Sequence, residues 1–175
     1  MGLGQTLLTI LALVLMGRMV ITINTTMLDA GFTKDIAEYR ITATSLGTSM
    51  LEQTSAMAFD EASVDSGATS TSVLTTAASF GPDAGESSET DYDDIDDYHN
   101  YSKVDSLEHS AIFKTKVSVS YITISGSNVV TTTTKSFSKQ VTVDITSDYL
   151  VNYSVTPAVP ETLRFKQIFS YWYFR

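Results

Sequence analysis

Proline is absent before Pro82, and within that stretch lies the apolar run LLTILALVLMGRMVITI, Leu7 to Ile23, with Arg18 as its sole charge. This run is near the lower length limit for a membrane span. It does not stop at Ile23. Ile36, Tyr39, Ala43, Leu46, Met50 and Met57 recur at alternating spacings of three and four, with Asp35, Glu38, Arg40 and Glu52 between them. That is the stripe of a helix facing a partner. The pattern predicts one helix from about Gly2 to about Phe59, roughly 80 Å long at about 1.5 Å per residue. A small globule cannot bury so long a rod. Lipid, or the same segments of other copies, must cover its apolar first half.

A cleaved secretory signal calls for a basic start and a small-residue cleavage site. Met1-Gly-Leu-Gly-Gln5 holds no base, and INTTMLDA offers no convincing site. A permanent single-span anchor is a second reading, although no flanking charge sets its topology at the start. Gly17 and the β-branched run VITINTT have weak helix propensity, so residues 17–26 are able to unwind locally when stretched. Gly31 and Gly47 are either further soft points or sites of close helix packing.

Charge is divided unevenly along the chain. Residues 1–109 hold 17 of the 20 carboxylates and four of the 11 Lys and Arg, and residues 110–175 hold the reverse imbalance. A net charge of −9 argues against a nucleic-acid partner, which needs a basic face. A polarised subunit can instead set its acidic end against a neighbour's basic end. Cysteine is absent, so stability must come without disulfides, from a core that the 43% apolar composition can supply.

The second half reads as strands. In Ser110–Ile124, Phe113, Val117, Val119 and Tyr121 alternate with Lys114, Lys116, Ser118 and Ser120, the period of a half-buried strand. Ser125-Gly126-Ser127-Asn128 is a hairpin signal. Val129–Ile145 is the predicted return, with Phe137, Val141, Val143 and Ile145 on one face. Tyr149–Val155 and Leu163–Phe174 are further strands, separated by Pro157 and Pro160. The expected head is a meander of about four antiparallel strands. Its aromatic end, FSYWYFR, suits core and edge packing or a subunit interface.

Between helix and strands, Ser63 to Gly85 reads as a hydroxyl-rich surface loop with a short strand near Val73–Thr76. Asp91, Asp93, Asp94, Asp96 and Asp97 then place five carboxylates within seven residues. Hard oxygen ligands of this kind suit Ca²⁺, although the EF-hand pattern is absent. The same side chains also suit turn and helix capping around Ile95, and both readings stay open. Tyr92, Tyr98 and Tyr101 are expected to pack this loop on the sheet. Asn24, Asn100 and Asn152 each begin an N-linked acceptor triplet, a pattern common by chance.

Two segments carry a resemblance: MLEQTSAMAFDEA (Met50–Ala62) and DYDDIDDYHNY (Asp91–Tyr101). With the apolar start and long helix before them, they resemble type IV pilins, in particular minor pilins of the mannose-sensitive haemagglutinin type. The resemblance implies an α+β fold, with the C-terminal half of a long N-terminal helix packed on an antiparallel sheet. Residues 1–27 would form the filament core or membrane segment and 28–62 the amphipathic half of the same helix. Residues 63–109 would be the loop region and 110–175 the β head. It implies an extracellular helical filament of identical subunits, stored in the inner membrane and built by a pilus assembly machinery. Gln5, Leu7, Leu8, Leu11, Leu13, Leu15, Gly17 and Arg18 would lie in the assembly core. Family members usually carry a glutamate at the fifth mature position. Counted from Met1, that position is Gln5, whose amide oxygen can still accept from an ammonium. The usual C-terminal disulfide loop is missing.

His99 and His109 are the only histidines, and no nucleophile elbow, phosphate loop or paired-His metal motif is present. The acidic run reads as crowded and exposed, without the separate environments that push two carboxyl pKa values apart. The expectation is a structural protein with no cofactor other than Ca²⁺. The alternatives are a monomeric membrane-anchored binding module and a minor pseudopilin of a secretion system.

Overall fold

The fold is that of a computed structural model describing residues 2–64, 67–106, 111–153, 155 and 157–173. Of the positions singled out above, Met1, His109, Ser110 and Phe174 lie outside the described residues, as does Ser154 of the Asn152 triplet. The chain divides into two compact units, Met1–Arg40 and Ile41–Arg175.

Helix α1 runs unbroken over Leu3–Ser55, 53 residues, close to the expected span. The weak stretch around Thr22 is helical. There, Thr22 Oγ1 donates to Arg18 O at 2.9 Å and Thr26 Oγ1 to Thr22 O at 2.8 Å. Such back-bonding satisfies a hydroxyl on the helix's own carbonyls and lets it sit in apolar surroundings. The last turn tightens, Ala56 N donating to Gln53 O at 3.2 Å and Met57 N to Thr54 O at 3.4 Å. The chain then leaves the helix through a parallel bridge between Ala58 and Asp94. One turn of helix, α2 (Glu61–Val64), follows.

In the second unit, residues of α1 pack on a five-stranded antiparallel sheet, making an α+β fold. The strands are β1 (Ser102–Ser106), β2 (Ile112–Ser125), β3 (Asn128–Thr132), β4 (Ser138–Asn152) and β5 (Val159–Ser170). Their order is β1-β2-β4-β5, with β3 also paired to β2. On α1 the buried residues are Ala43, Gly47, Met50 and Thr54. Ala43 and Met50 belong to the predicted stripe, while Leu46 and Met57 are only half-buried. Small residues take the innermost line because the sheet comes very close. A Cβ at Gly47 would stand 2.4 Å from Phe165 Cδ2 of β5. Of the two readings of Gly47, close packing is the one realised.

The strand pattern differs from the expectation in five places. β1 lies within the expected loop region, since SKVDS has no apolar alternation; its ladder to β2, from Ser102↔Lys116 to Ser106↔Ile112, holds it instead. The predicted return over Val129–Ile145 divides into β3 and β4. Between them Thr132 Oγ1 and Ser136 Oγ accept from Thr134 N and Ser138 N, side-chain bonds that compete with ladder pairing. Tyr149 is not the start of a new strand, because β4 continues to Asn152 across a register shift between Thr146 and Val151. β5 begins earlier, at Val159, and includes Pro160, which an end-of-sheet strand tolerates. The expected strand near Val73–Thr76 does not form: a 3₁₀ turn, Thr71–Val73, capped by Ser70, ends at Val73 and irregular chain follows.

The alternation on β2 holds: Phe113, Val117, Val119 and Tyr121 are buried, and Lys114, Lys116 and Ser118 are exposed. Val141, Val143 and Ile145 of β4 share that inner face, and Gly126 with φ 63° makes the β2–β3 turn. Phe59, Leu74, Ile95 and Tyr98, from the segment between helix and sheet, are also buried. At the C-terminus Tyr171 is buried and stacks on Phe137 at 5.3 Å, while Trp172 is exposed.

Candidate functional site

Two regions carry chemistry. The first is the apolar part of α1. Leu7, Leu8, Leu11, Leu13 and Leu15 are between 53% and 69% exposed, and Gln5, Gly17 and Arg18 are exposed beside them. At 100° per residue four of these leucines share one arc, and Ile10, Leu13, Val14, Met16, Val20 and Ile21, all exposed, fill the rest of the circle; a helix apolar on all sides belongs in a membrane or a protein core. The helix has an 18-residue window of mean hydropathy 2.2, long and apolar enough to cross a membrane. A long apolar N-terminal helix of this kind is compatible with membrane anchoring. Gly17 and Gly31 have nothing within 4 Å of an added Cβ. Asn24 lies exposed on the same helix and Asn100 exposed at φ 64°, while Asn152 ends β4.

The second region is polar and buried. Lys139 sits at an inward position of β4, and its side chain is 0% exposed. Nζ donates to Asp60 Oδ2 at 2.8 Å, to Phe59 O at 2.7 Å and to Asp96 Oδ1. It also lies 4.7 Å from the Phe59 ring centroid, 5.1 Å from Phe80 and 5.5 Å from Tyr121. Asp60 is held in turn by several donors. Thr75 N reaches Oδ1 at 3.0 Å, Ala62 N reaches it at 3.3 Å, and Tyr121 Oη reaches Oδ2 at 3.2 Å. Tyr121 Oη donates as well to Thr75 O at 2.7 Å. The hydroxyl-rich loop is thereby pinned to the core at Thr75.

The acidic run, expected to be uniformly exposed, splits between solvent and interior. Asp91 and Asp93 are exposed; Asp94, Asp96 and Asp97 are buried. Two of the buried three act as caps, the first being Asp94, whose Oδ1 accepts from Asp96 N at 2.6 Å and Asp97 N at 3.2 Å. Asp97 Oδ2 accepts from Asp93 N at 3.2 Å and Asp94 N at 3.1 Å. Their environments do separate their pKa values. Hydrogen bonds from Ser88 and Ser87 lower that of Asp91. Burial pushes Asp94 up to about 9 and Asp97 up to about 7. Asp96 is also raised, by burial against the opposing pull of Lys139.

As for a cation, Glu86, Asp93 and Asp97 each bring one carboxylate oxygen within 4.8 Å of the others. Among the described residues this is the group whose carboxylates lie close enough together to share a cation. Asp91 is engaged with Ser87 and Ser88, and Asp96 with Lys139, so the five aspartates do not converge on one point. Tyr92, Tyr98 and Tyr101 form an edge-to-face trio with centroids 5.1 to 6.1 Å apart. The loop docks on β2 through Asn100 N to Val117 O at 3.1 Å and Val117 N to Tyr101 O at 2.9 Å.

No local motif marks Lys139, Asp60, Tyr121 and Thr75 as a site in the sequence. Period two offered a signal: Lys139 stands between Phe137 and Val141 on the face that carries Val143 and Ile145. A lysine at such a position requires buried carboxylates, and the two that answer lie in the FDE and DDIDDY segments. Comparison with family models, curated proteins and solved structures finds no match to this chain. The fold itself, a long N-terminal helix packed on an antiparallel sheet, is compatible with a pilin-like fold.

Proposed function

We propose that this chain is the structural subunit of an extracellular, type IV pilus-like filament, used for surface attachment and held together by its N-terminal helices. The observation that carries this reading is the apolar, fully exposed stretch of α1, whose hydropathy window has no residue buried within the chain itself. Such a surface needs lipid before assembly and other copies of itself afterwards. Helix packing then supplies the adhesion between subunits, at roughly 25 cal/mol per Å² of apolar area removed from water. Gln5 and Arg18 take partners on neighbouring subunits, because an unpaired charge among packed apolar helices is costly.

The same hydropathy also supports a second reading, a monomeric surface module anchored by one span. One experiment separates them. Leu11→Asp and Leu13→Asp are expected to abolish fibres in sheared cell-surface material viewed by electron microscopy. The thermal transition of the β head in the purified full-length variants should stay where it is in the parent. Uniform fibres from either variant would refute the filament reading. A parent protein that yields no fibres and sediments as a small detergent particle favours the anchored monomer.

A further inference from the structure

We propose that Lys139 and Asp96 condense into an intramolecular isopeptide bond, with Asp60 carrying the proton. The three side chains occupy one buried site: Lys139 and Asp60 are 0% exposed and Asp96 is 3% exposed. Nζ of Lys139 touches a carboxyl oxygen of each aspartate. The rings of Phe59, Phe80 and Tyr121 surround the nitrogen and exclude water. Asp96 Oδ2 is buried and has no hydrogen-bond partner among the described residues.

The two aspartates differ in the way this reaction needs. Asp60 accepts from Thr75, Ala62, Tyr121 and Lys139, so both of its oxygens face donors and one faces Lys139 Nζ. Asp96 takes Lys139 Nζ on Oδ1 alone, and its Oδ2 is buried without a donor, so it is the one that takes the acid form. One ammonium beside two ionised carboxylates would leave a buried negative charge, which protonating Asp96 removes.

From that state the steps balance. The Lys139 ammonium gives one proton to the Asp60 carboxylate, leaving a neutral amine. Its nitrogen attacks Cγ of the Asp96 carboxylic acid and forms the C–N bond. The second nitrogen proton goes to the departing hydroxyl by way of Asp60, and the C–O bond breaks with loss of one water. The products are a secondary amide, water and Asp60 as the neutral acid. No oxidant, cofactor or leaving group from outside is needed. Fixed proximity replaces the entropy of bringing amine and acid together, and the dry aromatic surroundings disfavour the reverse hydrolysis. The resulting bond ties the segment after the helix to β4, residues 43 apart in sequence.

Tryptic digestion of the denatured full-length protein, followed by mass spectrometry, tests this. The expected product is a branched peptide joining Ile41–Lys103 to Ser136–Arg164, lighter than their sum by one water, with no cleavage after Lys139. Recovery of a linear peptide ending at Lys139, together with Ile41–Lys103 at its unmodified mass, overturns the proposal. Two variants separate chemistry from folding. Asp96→Asn is expected to give a branched peptide of the same mass as the parent's, because ammonia leaves in place of water. Asp60→Asn is expected to give linear peptides while the protein stays folded. A branched peptide in Asp60→Asn overturns the role given to Asp60.

Discussion

Lys139 Nζ stands 2.8 Å from Asp60 Oδ2 with both side chains fully out of solvent, and the residues are 79 positions apart. One comes from the start of β4 and the other from the turn that follows α1. The pair therefore fastens the end of the helix to the sheet. Lys139→Met is expected to leave the Asp60 side chain buried without its cation. Breaking such a pair from one side costs about 3–5 kcal/mol, which chemical denaturation of the variant and parent would measure.

Tyr121 reaches the same carboxylate through its hydroxyl, which donates to Asp60 Oδ2 and to Thr75 O. Burial, with the charge of Asp60 beside it, raises the phenol pKa, so the group stays a donor throughout the usual pH range. Tyr121→Phe keeps the ring and removes the hydrogen, leaving Thr75 O unsatisfied. A loss of about 1–3 kcal/mol is expected from unfolding curves.

At Gly47 the requirement is space and not conformational freedom. An added methyl would overlap the Phe165 ring, and overpacking a core typically costs about 1–3 kcal/mol, against a propensity gain of up to about 1 kcal/mol for Ala over Gly in a helix. Gly47→Ala should therefore lower the melting temperature of the head. Gly31→Ala, with nothing within 4 Å of its Cβ, should leave it unchanged. Shrinking the ring with Phe165→Leu should recover part of the Gly47→Ala loss, which a double-mutant cycle in thermal denaturation would show.

Asp97 makes stability depend on pH. Burial raises its folded pKa from 3.8 to about 7, with Glu86 adding to the rise. A group with a raised folded pKa binds its proton more tightly when folded. Its contribution is thus fully present below the unfolded value and lost as pH rises through the folded value. The melting temperature should fall between about pH 4 and about pH 7. Asp94, raised to about 9 chiefly by burial, should carry the fall further. Asp97→Asn keeps an oxygen to accept from Asp93 N and Asp94 N and should flatten the lower part of this slope.

The sequence by itself determined the long helix, because proline is absent before Pro82 and the apolar spacing is continuous. It also determined the two faces of β2, since strict alternation admits only one arrangement of inside and outside. It could not determine where the strands divide. Hydroxyl side chains near Thr132 and Ser136 trade ladder bonds for local ones, and a competition so nearly balanced is settled by the whole sheet. Nor could it show that three of five clustered aspartates are buried. Adjacent carboxylates look alike along the chain, and only the fold decides which of them meets Lys139. A buried charge is tolerated where its partners converge, and here they converge from distant turns and strands that local sequence spacing does not reach.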